Sequence, residues 1–96
     1  MATYVSLLRW TDQGVRDATD TVQRAGAFRA DLERRGCKLL GIYWTQGEYD
    51  LVTTIEAPDA QTAMASLIAL AGLGNVRTET RPAFSEREMA AILEKV

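Results

Sequence analysis

The sequence predicts an α+β fold of the ferredoxin-like βαββαβ type, with an extra helix at the C-terminal end. Three observations predict it. Stretches with the two-residue period of strands alternate with stretches of helical period in the order β-α-β-β-α-β-α. A tight connection, Gln46-Gly47-Glu48, joins the two central strands as an antiparallel hairpin. Ninety-six residues with 47% hydrophobic content suit one domain over 1–96 built around its own core. Right-handed crossovers then fold this order into a four-stranded antiparallel sheet with both main helices on one face.

The first strand runs from Thr3 to Trp10, a stretch rich in β-branched, aromatic and leucine residues, and Thr11-Asp12-Gln13-Gly14 ends it with turn chemistry. After a short helical turn near Gly14 to Thr19, the main helix starts near Asp20 or Thr21, either of which can cap exposed N–H groups. Its apolar stripe is Val22, Ala25, Phe28 and Leu32. Gly36 follows where a left-handed cap is wanted, and Arg34 and Arg35 suit the negative end of the helix dipole. Cys37 to Thr45 and Tyr49 to Glu56 are the hairpin strands.

Pro58-Asp59 breaks the third strand, and Asp59 caps a helix over Ala60 to Ala71 with a face of Ala60, Ala63, Met64, Leu67, Leu70 and Ala71. Ala65, Ile68 and Ala69 make its remainder apolar too, the pattern of a helix covered on more than one side. Asn75 to Arg81 alternates Val76, Thr78 and Thr80 with Arg77, Glu79 and Arg81, and Pro82 is expected to end that strand. The last helix opens on a capping box, Ser85 with Glu88, and a Phe84–Met89 staple; Met89, Ile92, Leu93 and Val96 share a face.

Composition excludes several chemistries. Histidine is absent, which removes histidine-held haem, most catalytic zinc sites and imidazole acid–base catalysis. A net charge of −2 with interleaved signs lacks the basic face that nucleic acid needs. A single cysteine makes no internal disulfide and suits a reducing, cytoplasmic setting. No targeting signal is read, and the longest apolar stretch, Ala63 to Gly74, is too short to cross a membrane. No cofactor and no metal are expected.

Two helices on one face leave the other face bare. Both sides of the first three strands are apolar: Val5 and Leu7 against Tyr4, Leu8 and Trp10, then Leu39 and Tyr43 against Leu40, Ile42 and Trp44. A sheet wetted on one side alternates apolar with polar instead. The expectation is a homodimer packed face to face, with Leu8 on the shared side. The other reading has the extra helix folding over the open face of a monomer.

Trp10-Thr11-Asp12-Gln13-Gly14, Tyr43-Trp44-Thr45-Gln46-Gly47-Glu48-Tyr49-Asp50 and Gly74-Asn75-Val76-Arg77-Thr78-Glu79-Thr80 together resemble the GYD-domain family of small bacterial and archaeal proteins. The family's glycine, tyrosine and aspartate are matched by Gly47, Tyr49 and Asp50. Members often carry a proline early in the first long helix, where this chain has Val22. The resemblance implies a dimeric α/β-barrel and, because the family has no settled biochemical function, carries no catalytic residues across.

The residues themselves suggest three clusters. Arg77, Glu79 and Arg81 form a charged strand face that either meets a polar ligand between two sheets or is an edge ladder in water. Tyr49 and Asp50 are a donor and base at a cavity mouth, or a packing residue and a turn cap. Tyr4, Trp10, Tyr43 and Trp44 are an aromatic wall for a flat ligand, or core and interface. The leading expectation is a non-catalytic homodimer that binds a small apolar or carboxylate-bearing molecule between its sheets, or that serves as an assembly module. The rival is a cofactor-independent oxygenase or isomerase with Trp10, Tyr49, Asp50 and Arg77 around a pocket.

Overall fold

The computed structural model describes residues 1–96. Strand β1 (Ala2–Trp10) leads through a short helix α1 (Asp12–Arg16) and one 3₁₀ turn (Ala18–Asp20) into helix α2 (Thr21–Arg34). Strands β2 (Lys38–Trp44) and β3 (Leu51–Ala57) follow, then helix α3 (Ala60–Gly72), strand β4 (Val76–Ala83) and helix α4 (Glu86–Leu93). The sheet order is β2-β3-β1-β4 with every neighbouring pair antiparallel, which is the ferredoxin-like arrangement the sequence predicts.

Local chemistry sets the element ends. Asp59 Oδ1 accepts from the Thr62 N–H at 2.7 Å and starts α3. Ser85 and Glu88 close a reciprocal capping box on α4. Gly36, at φ +79°, takes the left-handed conformation that turns the chain from α2 into β2.

Both main helices lie on one face, with α2 over β2 and α3 over β3 and β4. The buried core divides into two clusters. The larger combines helix and sheet: Phe28 and Leu32 of α2, Ala63 of α3, and Cys37, Ile55 and Ala57. The smaller consists only of strand residues, Leu8, Leu51 and Val76, with Trp10, Ile42 and Leu70 partly buried against it.

Several expectations are corrected. Leu8 is 3% exposed and sits in the helix-side core, not on the open face. In register, Leu8 opposes Leu51 and Thr78, so it shares its side with Tyr4, Ser6 and Trp10, and Val5 and Leu7 face the other way. A bulge between Leu39 and Gly41 breaks the alternation of β2. After it Ile42 opposes Thr53 and Trp44 opposes Leu51, on the helix side with Leu39, while Tyr43 faces out and is 72% exposed.

The stripe of α2 also runs through Thr21, Ala25, Phe28 and Leu32, leaving Val22 69% exposed. In α3 the buried positions are Ala63, Ser66 and Leu67, and Met64 and Ile68 lie on an uncovered outer face. Strand β4 passes through Pro82 to Ala83, because β4 is an edge strand and tolerates a residue with no N–H to donate. Helix α4 does not fold over the open sheet; every residue in it except Ile92 is exposed.

Candidate functional site

The structure separates the seven candidate residues into two places. Tyr4, Trp10 and Trp44 are on the helix side, with Asp50 at the strand end beneath them; Tyr49, Glu79 and Arg77 belong to the open face. Tyr4 packs against the larger core cluster. Asp50 acts as a turn cap: its Oδ2 accepts the Trp10 backbone N–H at 2.9 Å, and its own N–H donates to the Leu8 carbonyl at 2.8 Å. Trp44 donates its indole N–H to Thr21 Oγ1 at 3.0 Å.

At the open face, the Tyr49 hydroxyl donates to Glu79 Oε2 at 2.7 Å. The Arg9 guanidinium lies 4.5 Å above the Tyr49 ring centroid, pairs with Glu48 at 2.7 Å and reaches Glu79 at 3.6 Å. Arg81 adds a contact to Glu79 at 3.5 Å. Arg77 opposes Arg9 in register and turns its guanidinium back to the Ala71 carbonyl at 3.5 Å. The hydrogen bond to Glu79 holds the Tyr49 hydroxyl above its ordinary pKa, and the same bond is the main cause that holds the Glu79 carboxyl below its own. Both shifts move away from neutrality, opposite to what a general acid or base working near pH 7 requires.

Next to this cluster the open face is apolar. Val5 and Leu7 of β1 and Val52 of β3 are half-buried, and Leu40 at the bulge and Tyr43 of β2 are exposed. No helix of the chain lies over them.

On the other side of the sheet, a cleft of about 360 Å³ opens between α2 and α3. Its floor is the strand-only cluster, Leu8, Leu51 and Val76, with Trp10, Ile42 and Thr53. Ala25 and Phe28 form one wall, and Ala69, Leu70 and Leu73 the other. Small residues on both helices leave the gap. Trp10 Nε1 and Thr53 Oγ1 are buried without a hydrogen-bond partner, each at a typical cost of about 1–3 kcal/mol. Thr21, Arg24, Asp31, Arg34 and Asn75 edge the mouth.

The three sequence blocks meet at this end of the sheet. Thr11 N–H donates to the Asn75 carbonyl at 3.1 Å, and Gln13 Nε2 donates to Leu73 O and Asn75 Oδ1 at 3.1 and 3.0 Å. Gly14 sits so close to Asn75 that a Cβ there would lie 2.0 Å from its carbonyl oxygen. The Gly47-Glu48-Tyr49-Asp50 turn is tied to Arg9 and Trp10 of β1. The motif is therefore a clamp that fixes the strand ends around the cleft and the open-face cluster.

Sequence reading misses Arg9 and Glu48 in the open-face cluster, and Thr53, Arg24 and Phe28 in the cleft. Arg9 was readable by alternation, since it follows Val5 and Leu7 on the same side; Thr53 likewise lies in register with Leu51 and Ile55. The cleft itself left no signal stronger than alanines on the facing helix sides.

Fold and surfaces define a ferredoxin-like α+β domain with one helix-covered and one open sheet face. The chain belongs to the GYD domain family, whose model matches residues 4–93. It is 32% identical over 94 residues to the glutamine synthetase and cystathionine beta-lyase binding protein of Thermus thermophilus, covering 97% of this chain and 99% of that one. A crystal structure of a protein from the same organism superposes with a TM-score of 0.63 at 25% identity, covering 88% of this chain and 95% of the other.

Proposed function

We propose that this protein is a non-catalytic, homodimeric binding module of the cytoplasm that attaches to partner enzymes. The carrying observation is the open sheet face: Val5, Leu7, Val52, Leu40 and Tyr43 are apolar, and no segment of the chain covers them. Apolar patches of this kind are sites of protein association, and a second copy packed about a two-fold axis is the commonest cover. The rival in which the extra helix closes a monomer is disfavoured by the exposure of α4.

The binding half of the reading rests on the Thermus relative, which is named for binding glutamine synthetase and cystathionine beta-lyase. In this chain α4 supplies a suitable surface. Phe84, Met89 and Leu93 are each more than 40% exposed, with Ile92 beside them, and an amphipathic helix with a free apolar stripe is a standard ligand for a groove on another protein. The oxygenase or isomerase reading is weaker, because Tyr49 and Glu79 are tuned toward a fixed neutral–anionic pair rather than proton exchange. The small ligand expected between two sheets has a better seat in the cleft on the helix side.

Size-exclusion chromatography with light scattering tests the dimer: a two-chain particle is expected for the parent protein and a folded monomer for Leu7→Glu. A parent protein that stays monomeric at tens of micromolar overturns it. Co-elution with the glutamine synthetase of the same cell, lost on Met89→Asp, tests the partner half.

A further inference from the structure

We propose that the cleft between α2 and α3 binds a compact apolar carboxylic acid, with the apolar body over Leu8, Leu51 and Val76 and the carboxylate at Arg24. This deepens the small-ligand part of the function proposed above and does not depend on dimerisation, since one copy builds the whole cleft.

Two observations carry it. First, the floor is an apolar cluster whose buried members are all strand residues, and the helix side chain packed against it is the partly buried Leu70 of α3, whereas the other cluster takes Phe28, Leu32 and Ala63 from the helices into its buried core. A gap of about 360 Å³ is within the range of small-molecule sites and is much larger than the voids close-packed interiors leave.

Second, the mouth carries a positive charge without a carboxylate against it. Arg24 is half-buried, and its guanidinium is positioned by two neutral acceptors, the Asp17 carbonyl at 2.7 Å and the Gly14 carbonyl at 3.1 Å. No carboxylate lies within ion-pair distance of it: the side chains of Asp17 and Asp20 flank the shallow outer side of Arg24 beyond that range. The other acid at the mouth, Asp31, is already held by Arg34 at 3.1 Å and Arg35 at 2.8 Å. A preset guanidinium over an apolar hollow matches an amphipathic anion.

The test uses the full chain with Trp44→Phe, which leaves Trp10 as the single fluorescent indole on the cleft floor. Benzoate, 4-hydroxybenzoate, cyclohexanecarboxylate, uncharged benzamide and acetate are titrated, with thermal shift alongside. The ring acids are expected to change Trp10 emission saturably and to raise the melting temperature, while acetate does neither and benzamide binds at least about tenfold more weakly. Arg24→Gln should reduce acid affinity by about the same factor. Ala69→Phe, at an exposed position on the wall, should fill the cleft and abolish binding; unchanged far-UV circular dichroism shows that each variant is folded.

No saturable response to any ring acid overturns the proposal, as does equal binding of benzamide and benzoate, or full affinity in Ala69→Phe. The titration is repeated on Leu7→Glu. Binding that persists in a monomer supports the cleft whatever becomes of the dimer, and binding that is lost together with the dimer overturns a site contained in one copy.

Discussion

Replacing Gly14 by alanine isolates the clamp at the strand ends. Gly14 lies in helix α1, where alanine is favoured over glycine by about 1 kcal/mol. Against this, the new Cβ would sit 2.0 Å from the Asn75 carbonyl oxygen, and real Cβ atoms essentially never approach a heavy atom within 3.0 Å. Helix and strand must separate by at least about 1 Å, an overpacking cost of roughly 1–3 kcal/mol. The displaced oxygen is also the acceptor for the Thr11 N–H at 3.1 Å, and losing that hydrogen bond costs a further ~1 kcal/mol. The net expectation is a loss of roughly 1–3 kcal/mol, which lowers the melting temperature of a chain this size by about 5–15 °C.

Urea and thermal unfolding followed by circular dichroism, at one fixed protomer concentration, measure it. Gly26→Ala is the internal comparison. Gly26 is exposed in the middle of α2 and has nothing within 4 Å of its Cβ position, so alanine there should stabilise by roughly 0.5–1 kcal/mol. If Gly14→Ala is as stabilising as Gly26→Ala, the close approach of α1 to Asn75 is not a constraint, and the clamp is mistaken.

The remaining predictions are shorter. Leu8→Glu, unlike Leu7→Glu, should unfold the chain, because Leu8 is 3% exposed among Leu51 and Val76; a soluble, cooperative Leu8→Glu protein would refute the face assignment. Glu79, Asp31, Asp59 and Glu88 all have carboxyl pKa values held below their ordinary ones, so they stabilise the fold above pH ~4.5, and that contribution is lost as pH falls through the depressed values. Tyr49 is raised, so its contribution is complete below pH ~10 and is lost as pH climbs through the elevated value. Tyr49→Phe should therefore flatten the alkaline limb of a stability–pH curve and bring the Glu79 carboxyl back toward its ordinary value, which carbon-detected NMR titration reads. Ser85→Ala removes the capping box and should lower helix content by about one short helix while leaving the main unfolding transition nearly unmoved, since α4 packs so lightly.

Element order, the hairpin, the capping box and the family resemblance were legible because each is written in neighbouring residues: Ser85 with Glu88, Gly36 after Arg35, Gln46-Gly47-Glu48 between two strands. The face assignment was not, because the first strand is apolar on both sides and alternation alone does not say whether Leu7 or Leu8 meets the helices. Register decides it, through pairing with strands more than forty residues away. The bulge at Leu39–Gly41 reverses the second half of β2 without any local mark beyond one glycine. Val22 was misplaced by a single position, 100° around a helix, since Thr21 extends the stripe as well as valine does. The candidate residues were sound as a list of polar and aromatic groups near strand ends, but the sheet divides them, and a one-dimensional pattern does not show which side of a sheet a loop residue such as Tyr49 will reach.

Helix α4 leaves the sheet after Ala83 and draws little of its structure from it. Its start is written into its own first turn, so it behaves as an appendage with an independent switch-on signal. Such an arm can be lengthened or recomposed without retuning the four strands that form the body.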